Sequence, residues 1–299
     1  MTSLTLNRAS TNSLARPCVT SPPGMLRNVT TIGVRELREA IRSRWFLLYT
    51  LAFASLGLGV SYVSAVGSGG AGLSGFGRTS AGLINLVLLV VPLMAMNAGA
   101  VSVASDRERG MLSYLLAQPV SRIEILLGKY MGLALALLAC LCLGFGVCAA
   151  VLALKGEATG PGTFVWLAGL SFGLALAMLS VGVLVSVLAR KVSIAIGTAV
   201  FLWLSLVFAT DLGLMAGTLA MNLSIEHLFA LSLASPMQVF KMWSLHSVDA
   251  SLDVLGPAGL YASEEYGSSL HAIFAACLSA WIVLPLLAAS WIFSRRPSL

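Results

Sequence analysis

Apolar runs of twenty residues or more recur along this chain, and they constrain its fold before anything else does. A run of about 20 apolar residues is long enough to cross the hydrocarbon core of a bilayer as a helix. In lipid the backbone must satisfy its own hydrogen bonds, so each run is expected to be a helix rather than a loop or an open strand. The expected spans are about 45–66, 82–104, 122–154, 164–189, 192–222 and 270–294. The third and fifth exceed a single crossing, so they tilt, bend or project beyond the bilayer. Only 10% of the 299 residues are charged, against about 25% in a soluble domain. The expected fold class is an all-α polytopic membrane protein with six transmembrane helices. That leaves no room for a separate soluble catalytic domain of ordinary size.

Basic residues orient these spans. Of the 18 Lys and Arg, all but Arg78, Lys155 and Lys241 fall on one side of this topology. The positive-inside rule makes that side cytoplasmic, with both termini there. The net charge of +6 is thus a topology signal and not a nucleic-acid footprint. Residues 1–24 are rich in Ser, Thr and Pro and are expected to be a disordered leader. Met25 is the expected natural start, and residues 25–299 the membrane domain.

Residues 29–45 are amphipathic. Ile32, Leu37, Ile41 and Trp45 recur at helical spacing, and Arg35, Arg38, Arg42 and Arg44 supply a cationic face. This suits a helix lying in the membrane interface and running into the first span without a break. A soluble amphipathic helix is the other reading. The stretch Ser105–Gly132 is the main polar interruption on the inner side. Its Asp106-Arg107-Glu108-Arg109-Gly110 is too charged for a bilayer, and Met111–Leu116 is too short to span one. Pro119 stops any helix before it. Ser121 and Glu124 then have capping-box spacing, so a new helix is expected to start there.

On the outer side, Gly67–Gly82 reads as a flexible Gly/Ser-rich loop, and about 223–269 as a small subdomain. Within it Ser235-Pro236 is a good N-cap and N1 pair. The short helix that follows is expected to present Val239, Phe240, Met242 and Trp243 to the helix ends or to a periplasmic partner. Gly128/Gly132, Gly169/Gly173 and Gly213/Gly217 each have the spacing that lets membrane helices approach closely.

Catalytic signatures are lacking. There is no G-x-x-x-x-G-K-[ST], no H-E-x-x-H and no G-x-S-x-G, so no catalytic residue is expected and the chain does not hydrolyse ATP alone. No metal site is expected either. His227, His246 and His271 lack ligand spacing, and Cys18, Cys140, Cys142, Cys148 and Cys277 read mainly as small hydrophobes. The pairs Met94/Met96, Met215/Met221 and Met237/Met242 suit either Cu(I) or plain packing, and packing carries more weight. Asp211 is the one acid inside a span. An intramembrane carboxylate is a candidate functional group, and a solvated residue near the outer mouth is the bland alternative.

With the interfacial helix, the six spans and the inner segment Glu108–Lys129 in hand, the chain resembles the membrane subunits of type-2 ABC transporters. Glu108, Arg109, Gly110, Leu112, Leu115, Leu116, Pro119, Ser121, Arg122 and Lys129 fall on matching positions. The resemblance implies a coupling helix seated in a groove of a separate ABC ATPase. That partner would hold ATP and Mg, and the permease would be a homodimer in the bacterial inner membrane. On this reading Met111, Leu112, Leu115 and Leu116 fill the groove, while Arg107, Glu108 and Arg109 set its register. A narrower resemblance rests on RELREAIRSRWFLL, Asp211, SPMQVFKMWSL and VLGPAGLYA. These are similar to the NosY group, permeases of NosDFY complexes that support copper-site maturation of nitrous oxide reductase. It implies a NosF-like ATPase and a NosD-like periplasmic protein. A general type-2 exporter of a lipid, drug or ion is the alternative.

Overall fold

Long apolar stretches fold here as the bilayer requires, each closing its backbone bonds within itself. A computed structural model describes residues 25–67, 72–112, 120–154, 161–219, 225–247 and 269–295. In order the helices are α1 (Met25–Arg42), α2 (Arg44–Gly67), α3 (Gly72–Glu108), α4 (Arg122–Leu154) and α5 (Pro161–Leu188). They continue with α6 (Val192–Leu219), α7 (Ile225–Leu233), α8 (Pro236–Ser247) and α9 (Leu270–Arg295). Among the described residues, five segments are long and apolar enough to cross a membrane: Gly82–Glu108, Arg122–Ala150, Phe164–Leu188, Val192–Ala209 and Leu270–Arg295. In α2 the corresponding apolar piece is the shorter Phe46–Gly59. The leader 1–24 and the segment 113–119, with Leu115, Leu116 and Pro119, lie outside the described residues.

Two expectations need correction. Gly67–Gly82 is not an open loop from end to end, because α3 is already helical at Gly72. Once a span has nucleated, each further residue adds a bond at little cost, so the helix extends through this stretch despite its glycines. Nor does α1 run unbroken into the first span. Ser43 N–H bonds Ala40 O at 3.0 Å to close α1, and Ser43 Oγ accepts from Phe46 N–H at 3.2 Å to start α2. Ser43 is thus a hinge residue between an amphipathic helix and an apolar one.

The core is built on α5, which is mostly buried between α3 and α9. Glycine sets the α3–α5 contact. A Cβ on Gly99 would lie 2.7 Å from Leu179 O, and one on Gly182 would overlap the backbone of Met96. At that approach Ser186 Oγ of α5 accepts from Val103 N–H at 3.0 Å and Ala104 N–H at 2.9 Å of α3. Along α4 lie α1 and α2. Gly128 and Gly132 receive Ile32, Gly33 and Glu36 of α1, and the Phe53 ring of α2 fills the space over Gly144. Thr50 Oγ1 donates to the buried Cys140 Sγ at 3.1 Å. By contrast, little of α6 between Val192 and Ala209 is buried, and Ile194, Phe201, Leu204 and Phe208 face outward.

At the opposite end from the charged turns, α8 starts at Pro236 after Ser235, as its cap pair suggests. The Ser235 hydroxyl is nevertheless buried without a hydrogen-bond partner, so the cap is positional and its side-chain bond is not made. The side chains Val239, Phe240, Met242 and Trp243 are buried, at 0%, 0%, 3% and 8% exposure. They are the packing face of α8 against α5 and α9, not an exposed docking surface. The reason is local: Trp243 sits edge-on to Trp166 of α5 at 6.1 Å and beside Phe274 of α9 at 6.2 Å. Such an aromatic cluster gains more from burial than from exposure to water.

Candidate functional site

The polar residues converge at the other end, where α3 stops and α4 starts. Charge runs through Asp106, Arg107 and Glu108, and all three belong to the last turn of α3. Arg109 N–H still bonds Ser105 O at 3.0 Å, and Gly110 N–H bonds Arg107 O at 3.2 Å. Gly110 has φ +72°, the left-handed conformation that ends helices and favours glycine. This glycine is therefore a C-terminal cap. Beyond it Met111 is exposed, and Leu112 is half-buried against the core.

Each residue of that last turn reaches a different helix. The Asp106 carboxylate lies 2.9 Å from Lys129 Nζ of α4. Lys129 also meets the Glu36 carboxylate of α1 at 2.8 Å. These side chains are 5% (Lys129), 14% (Glu36) and 13% (Asp106) exposed, so one ammonium joins α1, α3 and α4 almost out of water. Burial pushes the Glu36 carboxyl above the ordinary glutamate range, against the opposing pull of Lys129. The Arg107 guanidinium donates to Ala189 O and, at 3.4 Å, to Val187 O, carbonyls left open at the C-terminus of α5. Glu108 Oε2 accepts from Val192 N–H at 3.0 Å, one of the open donors at the N-terminus of α6. The tight turn between α5 and α6 is thereby gripped at both of its ends by the final turn of α3.

The start of α4 is built as its spacing suggests. Ser121 Oγ accepts from Glu124 N–H at 3.2 Å, and Glu124 Oε2 accepts from Ser121 N–H at 3.3 Å. The same Glu124 oxygen accepts from Asn28 Nδ2 of α1 at 3.0 Å. Arg122 donates to Phe293 O at the last turn of α9 at 3.1 Å. Arg109 and Glu39 form only an exposed pair at 3.7 Å, 71% and 58% exposed, of little energetic weight.

The residues expected to contact an ATPase thus divide. Arg107 and Glu108 are engaged within the chain, while Arg109, Gly110 and Met111 are exposed around the cap. Leu115, Leu116 and Pro119 fall outside the described residues. Asp211 lies on α6, and its side-chain surroundings are likewise outside them. The sequence reading missed the Glu36–Lys129–Asp106 cluster. Its one visible signal was a lysine two turns into an otherwise apolar run, which demands partners.

Comparison with known proteins points the same way. Residues 30–297 match the family described as ABC-2 family transporter protein. A probable ABC transporter permease protein NosY of Stutzerimonas stutzeri is 31% identical over 277 residues, 91% of this chain and 99% of that relative. The protein of the same name from Pseudomonas aeruginosa is 32% identical over 278 residues, 90% of this chain and 98% of the relative. A multi-pass helical chain that matches over this length belongs to the ABC-2 transporter family, as a permease that resembles NosY.

Proposed function

We propose that this permease transmits the work of a separate, NosF-like ATPase, which holds ATP and Mg, across the membrane. The output is either transport or mechanical action on a NosD-like periplasmic protein, in copper-site maturation of nitrous oxide reductase. One observation carries the reading. The segment 113–119 joins two helix ends, and both are tied by hydrogen bonds or ion pairs to several neighbours. A push delivered there reaches α1, α3, α4, α5, α6 and α9 together. A coupling surface needs that stiffness, since a displaced loop on frayed helix ends would dissipate the motion.

The same proposal takes six spans, both termini in the cytoplasm of a bacterial inner-membrane protein, and a homodimer. The homodimer rests on the family reading, and the outward face of α6, the least covered of the spans described, is where a second copy would seat. Co-purification from native membranes tests the proposal. The expected result is an ABC ATPase and a periplasmic protein retained with the wild-type chain, and loss of the ATPase from Leu115→Asp. ATPase binding and ATP-driven activity that survive Leu115→Asp would overturn the coupling role. An ATPase recovered without any periplasmic partner would leave a general type-2 exporter.

A further inference from the structure

Arg35, Arg38 and Arg42 stand on one outward stripe of α1. With Thr31, Val34, Glu39 and Ser43 they line an open groove of about 660 Å³. All three arginines are exposed, and among the described residues none of them is in an ion pair. The groove's one acid, Glu39, leans toward Arg109 instead. Three guanidiniums at one place, with the Ser43 hydroxyl beside them, form a site for a doubly or singly charged oxyanion.

Depth identifies which oxyanion. Both α1 and α2 follow α4 in the same direction: Asn28 meets Glu124, Ile32 meets Gly128 and Glu36 meets Gly132, and further along Thr50 meets Cys140 and Phe53 meets Gly144. Arg35 and Arg38, which flank Glu36, therefore stand near the level of Lys129 and Gly132, and Arg42 follows about one turn after Arg38 at the junction with α2. Lys129 is itself level with Asp106, where the apolar part of α3 gives way to charge. That is the depth of lipid headgroups. One turn further into the membrane, α2 turns Leu47, Leu48 and Leu51 outward. A polar pocket at headgroup depth with an apolar wall beneath it has the two-part form of a phospholipid.

We propose that this groove binds an anionic phospholipid, its phosphate paired with Arg35, Arg38 and Arg42 and its acyl chains laid along Leu47, Leu48 and Leu51. The site rests on the Arg35–Arg42 stretch of α1 lying at headgroup depth. It requires net negative charge on the lipid, because a zwitterionic headgroup carries its own cation to the phosphate. Each basic residue near an anionic membrane surface is worth about 1 kcal/mol, which is about a fivefold change in retention.

The test uses the full-length chain purified in mild detergent. Phosphatidylglycerol or phosphatidylcholine with matched acyl chains is added, and native mass spectrometry counts the lipid retained. Phosphatidylglycerol is expected to be retained in preference and to raise the thermal unfolding midpoint. Arg35→Gln, Arg38→Gln and Arg42→Gln should each lower its retention about fivefold. Leu48→Asn should weaken both lipids alike. Since these side chains are exposed, the lipid-free midpoint should stay at the wild-type value, and Arg38→Lys, which keeps the charge, should retain most of the preference. Equal retention of the two lipids, or variants that keep the preference, would overturn the site. So would inorganic phosphate alone giving the same stabilisation, which would mark a free-anion site. Loss of the lipid preference when the ATPase is added would assign the surface to that protein instead. The retention and unfolding readouts use the chain without its ATPase, so this site and the coupling role fail separately.

Discussion

Lys129 Nζ stands 2.8 Å from the Glu36 carboxylate, joining residues of α1 and α4 that are 93 positions apart, with only 5% of the lysine side chain exposed. A second carboxylate, Asp106, completes the group from α3. Because desolvation weighs against all three charges, the cluster specifies how the helices are arranged more than it adds net stability.

The first consequence is an asymmetry between breaking the cluster and replacing it. Lys129→Met leaves two carboxylates buried side by side and is expected to cost about 3–5 kcal/mol. Glu36→Gln leaves one well-formed pair and should cost less. The triple replacement Glu36→Leu, Asp106→Leu and Lys129→Met should recover most of the loss. Thermal unfolding in detergent, compared across the set, measures this.

A dependence on pH follows from Glu36. Its folded-state pKa is raised above the ordinary value of 4.5, mainly by burial. Between those two values the folded chain binds more protons than the unfolded one, so stability falls as pH rises through that window. The contribution is fully present below 4.5 and is lost once pH passes the raised value. Subtracting the pH profile of Glu36→Gln from that of the wild type should isolate this slope, and identical profiles would refute it.

The α1–α4 contact depends on an absent side chain. A Cβ on Gly132 would sit 2.5 Å from Gly33 O and 2.7 Å from Glu36 Cβ. Gly132→Leu is therefore expected to force α1 away, at a cost of about 1–3 kcal/mol from overpacking. It should also weaken the Glu36–Lys129 pair and flatten the pH slope just described. Gly146, where a Cβ meets nothing within 4 Å, supplies the control. Gly146→Ala should be neutral, or stabilising by up to about 1 kcal/mol.

Glu108 and Arg107 grip the α5–α6 turn, and each grip is separately removable. Glu108→Ala deprives Val192 N–H of its acceptor and is expected to cost about 0.5–2 kcal/mol, the usual range for losing a helix cap. Amide hydrogen exchange should accelerate at Val192 and its neighbours while the middle of α5 stays protected. Arg107→Met should loosen the same turn from the α5 side. Unchanged exchange in both variants would show that the turn holds itself.

Much of the bundle was legible in the sequence. The span 122–154 coincides with α4, because a capping box and a long apolar run mark its start and length independently. The spans 192–222 and 270–294 match α6 and α9 to within a few residues. Composition misled where glycine was read as loop, since Gly72 and its neighbours extend α3. At Trp243 the sequence left packing on the helix ends and a periplasmic partner both open, and the buried side chain is one that packs. The site was harder to see. Local patterns describe neighbours in the chain, whereas Arg107 to Ala189, Glu108 to Val192 and Glu36 to Lys129 are tertiary pairings without periodicity. Gly99 and Gly182 meet across helices, and their only local signal is a small residue four positions away, Ala95 and Ser186, with no second glycine.

That glycine crossing limits how the protein moves. Where α3 and α5 touch, peptide groups rest on peptide groups, and Ser186 is bonded into the ladder of the opposite helix. No solute can part that seam without first breaking it. The two helices therefore behave as one spar, fixed at the charged end to the turn that leads into α6. Whatever moves in this protein, α3 and α5 move together and not apart.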